Sequence, residues 1–131
     1  MLYLDANFFI LSNFDTTTKG ENARKLLQGV VEGKEAVTSV LALDEVMWVI
    51  LRNRKETELR TVIEEIYSVK NLAVKEVPPS APLTALDFIE RYNLKPRDAF
   101  HAAVMKHFGI TKIVSDDADF DRIRGIGRIK L

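Results

Sequence analysis

The chain has 131 residues, 47% of them hydrophobic, a length and composition that fit one core and a single domain spanning residues 1–131. Nineteen basic residues balance nineteen acidic ones, so overall charge gives no argument for a general nucleic-acid or membrane-surface binder, and any electrostatic function has to be local. The absence of cysteine excludes disulfides, thiolate metal sites and cysteine nucleophiles, and two histidines, His101 and His107, are too few for a His-rich zinc site.

Taken in chain order, the sequence alternates strands and helices. MLYLD is a short apolar run that reads as a buried strand ending at Asp5, and NFFILSNF continues into a first helical turn or two. Asp5 close to the start and the lack of a basic leader argue against a signal peptide, and no apolar run approaches the ~20 residues of a membrane span, so the expectation is a soluble, cytoplasmic protein. Glu21 to Glu32 carries Ala23, Leu26, Leu27, Val30 and Val31 on helical spacing, with Gly33 as a stop. EAVTS reads as a strand whose Thr38 or Ser39 can cap a helix from Val40 to about Arg52. A further helix is expected over Thr57 to Val69, then a strand over LAVKEV and a loop at PPSAP. Helices follow over Ala81 to Tyr92 and Pro96 to Phe108, the second stopped by Gly109. TKIVS is another strand, and GRIKL a closing one. Strands separated by helices imply right-handed crossovers, a mostly parallel sheet and helices on both faces.

In such a sheet the ligand crevice lies outside the carboxyl ends of the strands. Asp5 ends the first strand, and Asp116 and Asp117 end TKIVS, so their carboxylates share one crevice if the two strands are neighbours. Bland alternatives exist for both: a helix cap at Asp5, and a solvated turn leading into FDRIRGI. The late cluster is dense, with Asp116, Asp117, Asp119 and Asp121 falling within six positions. Like charges so close are either splayed into solvent or held together by something positive.

Two further acids stand in revealing contexts. VLALDEVMWVIL is apolar except for Asp44 and Glu45, so this helix is expected to be mostly buried. Adjacent helical residues project about 100° apart, so at least one of the two acids is expected to point into a polar cavity, and periodicity does not say which. In NLKPRDAFHAAVMKHFG, Pro96 suits the first turn of a helix and places Asp98 where free N–H groups and the dipole favour an anion. His101 lies one turn later on the same side and reads as a packing or supporting residue more readily than as a base.

LDANFFI, SVLALDEV, LKPRDAFHAAVMKHFG and IVSDDADFDRIRGI resemble, in that order, the motifs of PIN-domain proteins, and most closely those of VapC-type toxin ribonucleases. The resemblance spans nearly the whole chain. It implies a three-layer α/β/α sandwich around a mostly parallel sheet, with carboxylates that bind Mg²⁺ or Mn²⁺ and cut RNA. Carried over by position, it assigns the four principal acids to Asp5, Glu45, Asp98 and Asp117, which chooses Glu45 over Asp44, and adds Asp119 as a further metal ligand. Ser115 precedes Asp117 as the hydroxyl of its motif, Asp116 is accessory, and Asn7 and Ser39 match polar positions that support the first and second acids. Ala6 departs from a frequent threonine. The resemblance also implies a homodimer and an antitoxin whose C-terminal segment lies across the site. Met47, Trp48 and Leu51 are then candidates for a partner surface, although core packing is the expected role for them.

Electrostatics supports that assignment, because four or five carboxylates in one crevice need a cation, and hard oxygen donors suit Mg²⁺ or Mn²⁺. Arg97, Arg122, Arg124 and Arg128 are candidates to hold flanking phosphates, against the plainer reading of a solvated face. Rival classes fit poorly. A haloacid-dehalogenase pattern wants aspartate where Asn7 stands, and a receiver domain wants its acidic pair early in the chain. A non-catalytic binding module of the same fold is the stronger rival, opposed by the presence of all four acids.

Overall fold

A computed structural model describes residues 1–131 as five parallel strands and six α-helices. The strands are β1 (Leu2–Leu4), β2 (Ala36–Ser39), β3 (Leu72–Lys75), β4 (Lys112–Val114) and β5 (Gly127–Ile129). The helices are α1 (Ala6–Phe14), α2 (Thr18–Val31), α3 (Val40–Arg52), α4 (Glu56–Ser68), α5 (Ala81–Tyr92) and α6 (Pro96–His107). Strand order is β3-β2-β1-β4-β5, so the chain first builds outward from β1 on one side and then crosses to add β4 and β5 on the other. The switch point therefore falls between β1 and β4, which pair with Tyr3 opposite Ile113 and Leu4 opposite Val114. No helix is long and apolar enough to cross a membrane.

The strands bury both faces, as a parallel sheet between helices requires. In β1, Leu2 and Leu4 enter one core with Phe8, Phe9, Val30, Val46, Ile50 and Ile66, while Tyr3 between them enters the other with Val37, Val104, Met105, Ile113 and Phe120. Strand alternation thus splits one triplet between two layers, with α1 to α4 on one side and α5 and α6 on the other. Truncating a wholly buried member such as Ile113 to alanine costs about 2–5 kcal/mol.

Most predicted boundaries fall within a few residues of the observed ones. α2 starts earlier than Glu21 because the Asp15 carboxylate accepts hydrogen bonds from the backbone N–H groups of Thr17 and Gly20, 2.7 and 3.2 Å away, and so turns the chain into the helix. The stop at Gly109 is a complete Schellman closure: Gly109 takes φ +68°, its N–H bonds the Lys106 carbonyl, and the Ile110 N–H bonds that of Met105 at 2.8 Å. Of the two capping candidates before α3, Ser39 caps, its Oγ accepting from the Ala42 N–H at 3.2 Å, whereas Thr38 donates to the Leu4 carbonyl.

α3 corrects one expectation. A helix lying on a sheet buries only one stripe, here Ala42, Leu43, Val46 and Ile50, so an all-apolar sequence leaves hydrophobic side chains outside. Trp48 is 62% exposed, Leu51 47% and Met47 38%, so none of the three is core.

Candidate active site

The C-terminal ends of β1 and β4 open into a cavity of about 400 Å³ lined by Asp5, Asn7, Glu45, Asp98, His101, Ser115, Asp116, Asp117 and Phe120. Asp5 enters as the first residue after β1. It is 7% exposed, and one carboxylate oxygen caps α1 by accepting from the Phe8 N–H at 3.0 Å. The capping and crevice readings are therefore both true of this residue. Burial pushes its pKa up to about 6, against the opposing pull of the Ser115 hydroxyl and the Phe8 N–H.

α6 brings Asp98 in its first turn, with Pro96 opening the helix. Here too burial is the first cause of a pKa raised to about 6, followed by repulsion from Asp117. Asp98, Asp117 and Asp119 place carboxylate oxygens within 4.8 Å of one another. Asp117 is held by its own loop, its N–H donating to Ser115 Oγ at 3.0 Å and its Oδ1 accepting from the Asp119 N–H at 2.9 Å. Asp5 and Glu45 line the same cavity without joining that tightest group. Oxygen-only donors, mutual repulsion and partial burial together fit a hard divalent cation.

Glu45 points into the crevice while Asp44 lies exposed beside Met47, Trp48, Leu51 and Arg52. The Oε1 atom of Glu45 sits 2.7 Å from His101 Nε2 and 3.4 Å from Arg97 Nε. His101 is buried, with Nδ1 2.6 Å from the Tyr3 hydroxyl, which is itself 2.7 Å from Ser39 Oγ. Tyr3 escaped the reading of the sequence, although a tyrosine inside a buried strand needs a partner for its hydroxyl and so marks a polar spot in the core.

The remaining candidates separate. Asn7 is exposed and lines both this cavity and an adjoining groove of about 400 Å³ that contains Trp48, Arg52 and Arg97. Asp116 lines the cavity but is paired with Lys19 at 2.6 Å and accepts from the Leu131 N–H, which draws its pKa down. Arg122 lies at the rim, 3.0 Å from Asp119. Arg124 does not reach the crevice. It lines a cavity with Lys106, Ile110 and Thr111 at the opposite end of β4, because the chain turns away after the 3₁₀ helix Ala118–Arg122. Arg128 is likewise unavailable to a substrate: its side chain is 4% exposed and holds Asp121 through two bonds of 2.9 and 2.7 Å and the Ser115 carbonyl at 3.1 Å.

A three-layer parallel α/β protein with a carboxylate centre at its sheet switch point is the class that this geometry defines. The PIN domain family model matches residues 2–126, and the chain belongs to the PIN-domain family. A VapC ribonuclease of Mycobacterium bovis and ribonuclease VapC13 of Mycobacterium tuberculosis are each 31% identical to it over 117 residues, covering 82% of this chain and 83% of the relative. Among solved structures, the Sarcin-Ricin loop cleaving toxin VapC20 of Mycobacterium tuberculosis superposes with a TM-score of 0.79 at 18% identity, covering 96% of this chain and 97% of that one. VapBC2 of Rickettsia felis, bound to a DNA fragment from its promoter, gives 0.77 at 14% identity, with 99% and 98% covered. At those identities the solved structures speak for the fold.

Proposed function

We propose that this chain is a metal-dependent endoribonuclease that hydrolyses RNA phosphodiester bonds and serves as the toxin of a toxin-antitoxin pair. The observation that carries the proposal is the convergence of Asp98, Asp117 and Asp119 within 4.8 Å, beside Asp5 and Glu45, in a chain whose relatives are named VapC ribonucleases. When bound, Mg²⁺ or Mn²⁺ would supply a lowered pKa for the attacking water and neutralise charge building on the phosphate. Asp98, Asp117 and Asp119 would hold it, with Asp5 and Glu45 completing the set from β1 and α3. Hydrolysis forms a bond from water oxygen to phosphorus and breaks the bond from phosphorus to a ribose oxygen. The water would pass its proton to Asp98 or to solvent, and the departing ribose oxygen would take one up. Arg97 and Arg122 flank the acids, paired with Glu45 and Asp119, and would hold neighbouring phosphates.

A partner is part of the proposal. Solved relatives of the same fold include toxin-antitoxin complexes from Rickettsia felis, Klebsiella pneumoniae and Salmonella typhimurium, which supports an antitoxin for this chain. The resemblance adds a homodimer, for which the exposed Met47, Trp48 and Leu51 offer an apolar surface. An RNA substrate and a protein antitoxin both suit a cytoplasmic location. Cleavage of labelled single-stranded RNA in Mn²⁺, Mg²⁺ or EDTA, beside Asp98→Asn, tests the activity. Metal-dependent cutting that the variant lacks is expected. Equal cutting by both proteins would contradict the proposal.

A further inference from the structure

Four buried or half-buried polar side chains from four elements form one line: Ser39 at the end of β2, Tyr3 in β1, His101 in α6 and Glu45 in α3. Counting protons along that line decides its direction. Ser39 Oγ accepts from the Ala42 N–H and otherwise meets only Tyr3, and the side chain has no exposure to water. Its own proton therefore has one acceptor, the Tyr3 oxygen. The Tyr3 proton is then left for His101 Nδ1, so Nδ1 is the bare nitrogen and Nε2 carries the hydrogen that it donates to Glu45 Oε1. The other neutral tautomer would set a lone pair against a carboxylate oxygen at 2.7 Å.

We infer that Ser39, Tyr3 and His101 are positioning residues for Glu45: a directed relay running from the Ala42 N–H through both hydroxyls to the imidazole, fixing the carboxylate by one oxygen. The inference rests on the reading of Glu45 as a cation ligand only for its consequence, not for the relay itself. With Oε1 taken by His101 and by Arg97, the second oxygen carries no hydrogen bond from the chain and is the one left for the crevice. Partners behind a metal-binding carboxylate fix its orientation, and removing one typically weakens metal binding by about 10- to 100-fold. The relay also explains why a tyrosine and a histidine are buried in a sheet core that is otherwise aliphatic and aromatic at these positions.

The test is nitrogen NMR of His101 in the wild-type protein without metal or RNA, followed by Mn²⁺ titration of wild type, Tyr3→Phe, His101→Gln and His101→Leu. With the ring neutral, the wild type is expected to show the Nε2–H tautomer alone, and Tyr3→Phe to lose that preference. His101→Leu is expected to bind Mn²⁺ about 10- to 100-fold more weakly, while His101→Gln, which keeps an N–H near the Nε2 position, recovers to within a few-fold of wild type. An Nδ1–H tautomer in the wild type would overturn the inference, as would a leucine variant that binds normally or a glutamine variant no better than leucine. If the wild type binds no Mn²⁺, the tautomer decides alone. A failed relay in a protein that still cuts RNA in a metal-dependent way removes only the relay. A confirmed tautomer in a protein that cuts nothing removes only the nuclease.

Discussion

Within Asp116 to Asp121 the same residue type meets two opposite electrostatic fates. Asp116 and Asp121 are each matched to a cation, Lys19 and Arg128, and hydrogen bonds to those partners draw both carboxyls below their ordinary range. Asp117 and Asp119 turn the other way, toward Asp98, with Arg122 meeting only Asp119 at the rim, and there burial and repulsion push the Asp98 carboxyl up to about 6. One short loop thus contains a finished structural half and an unfinished one that still wants positive charge. A run of acids is informative through the partners it lacks, and its total charge says little.

The largest expected effect breaks that contrast directly. Asp98→Asn or Asp117→Asn should lower RNA cleavage in saturating Mn²⁺ by roughly 100-fold or more, because each removes an anionic oxygen ligand, while Asp121→Asn lowers the melting temperature and leaves the rate within about threefold. Steady-state cleavage beside thermal melts separates the two classes.

Stability against pH should show opposite signs for the two halves. Asp5 and Asp98 have folded values near 6, above the ordinary carboxylate value of 3.8, so what they contribute is fully present below about pH 4 and is lost as pH rises through 6. For Asp116 and Asp121 the folded values are lowered, so their contribution is present above that ordinary value and is lost only as pH falls through the folded ones. Denaturant titrations in EDTA should therefore find Asp5→Asn more stable than wild type by about 1–3 kcal/mol at pH 7.5, with the gap closing toward pH 4. Asparagine still accepts the Phe8 N–H, so the cap on α1 survives the change. An unaltered or lowered stability at pH 7.5 would contradict the buried-charge account of Asp5.

A divalent cation should reverse the cost of the unfinished half. Mn²⁺ at about 100 times its Kd stabilises the wild type by about 2.7 kcal/mol, readable as a rise in melting temperature, and Asp98→Asn should lose most of it. The smallest effect is expected at Lys19→Ala, where the ion pair with Asp116 is largely solvated on the lysine side: under about 1 kcal/mol in stability and cleavage within about twofold.

Much of this was legible from residues alone. Apolar triplets between helical periods located the strands, and the acids after MLYL and TKIVS located the crevice, because a parallel sheet collects its chain ends on one edge. Glu45 was separable from Asp44 only through the family resemblance, since helical period alone does not orient a helix that is apolar all round. The exposure of Trp48 and its neighbours was illegible for the same reason. The positions of Arg124 and Arg128 were not legible because a guanidinium's role depends on tertiary partners, and nothing local announces that Arg128 meets Asp121. The Tyr3 to His101 contact spans 98 residues and joins β1 to α6, beyond any local periodicity.

Calorimetry of Mn²⁺ binding at pH 6 and pH 8, in two buffers with different heats of ionisation, tests the central claim most directly. If the unfinished acids are a cation site, Mn²⁺ binds and displaces protons from Asp5 and Asp98 at pH 6, the release shrinks toward zero at pH 8, and Asp98→Asn weakens binding. No binding at either pH, or binding that ignores both pH and the variant, would contradict it.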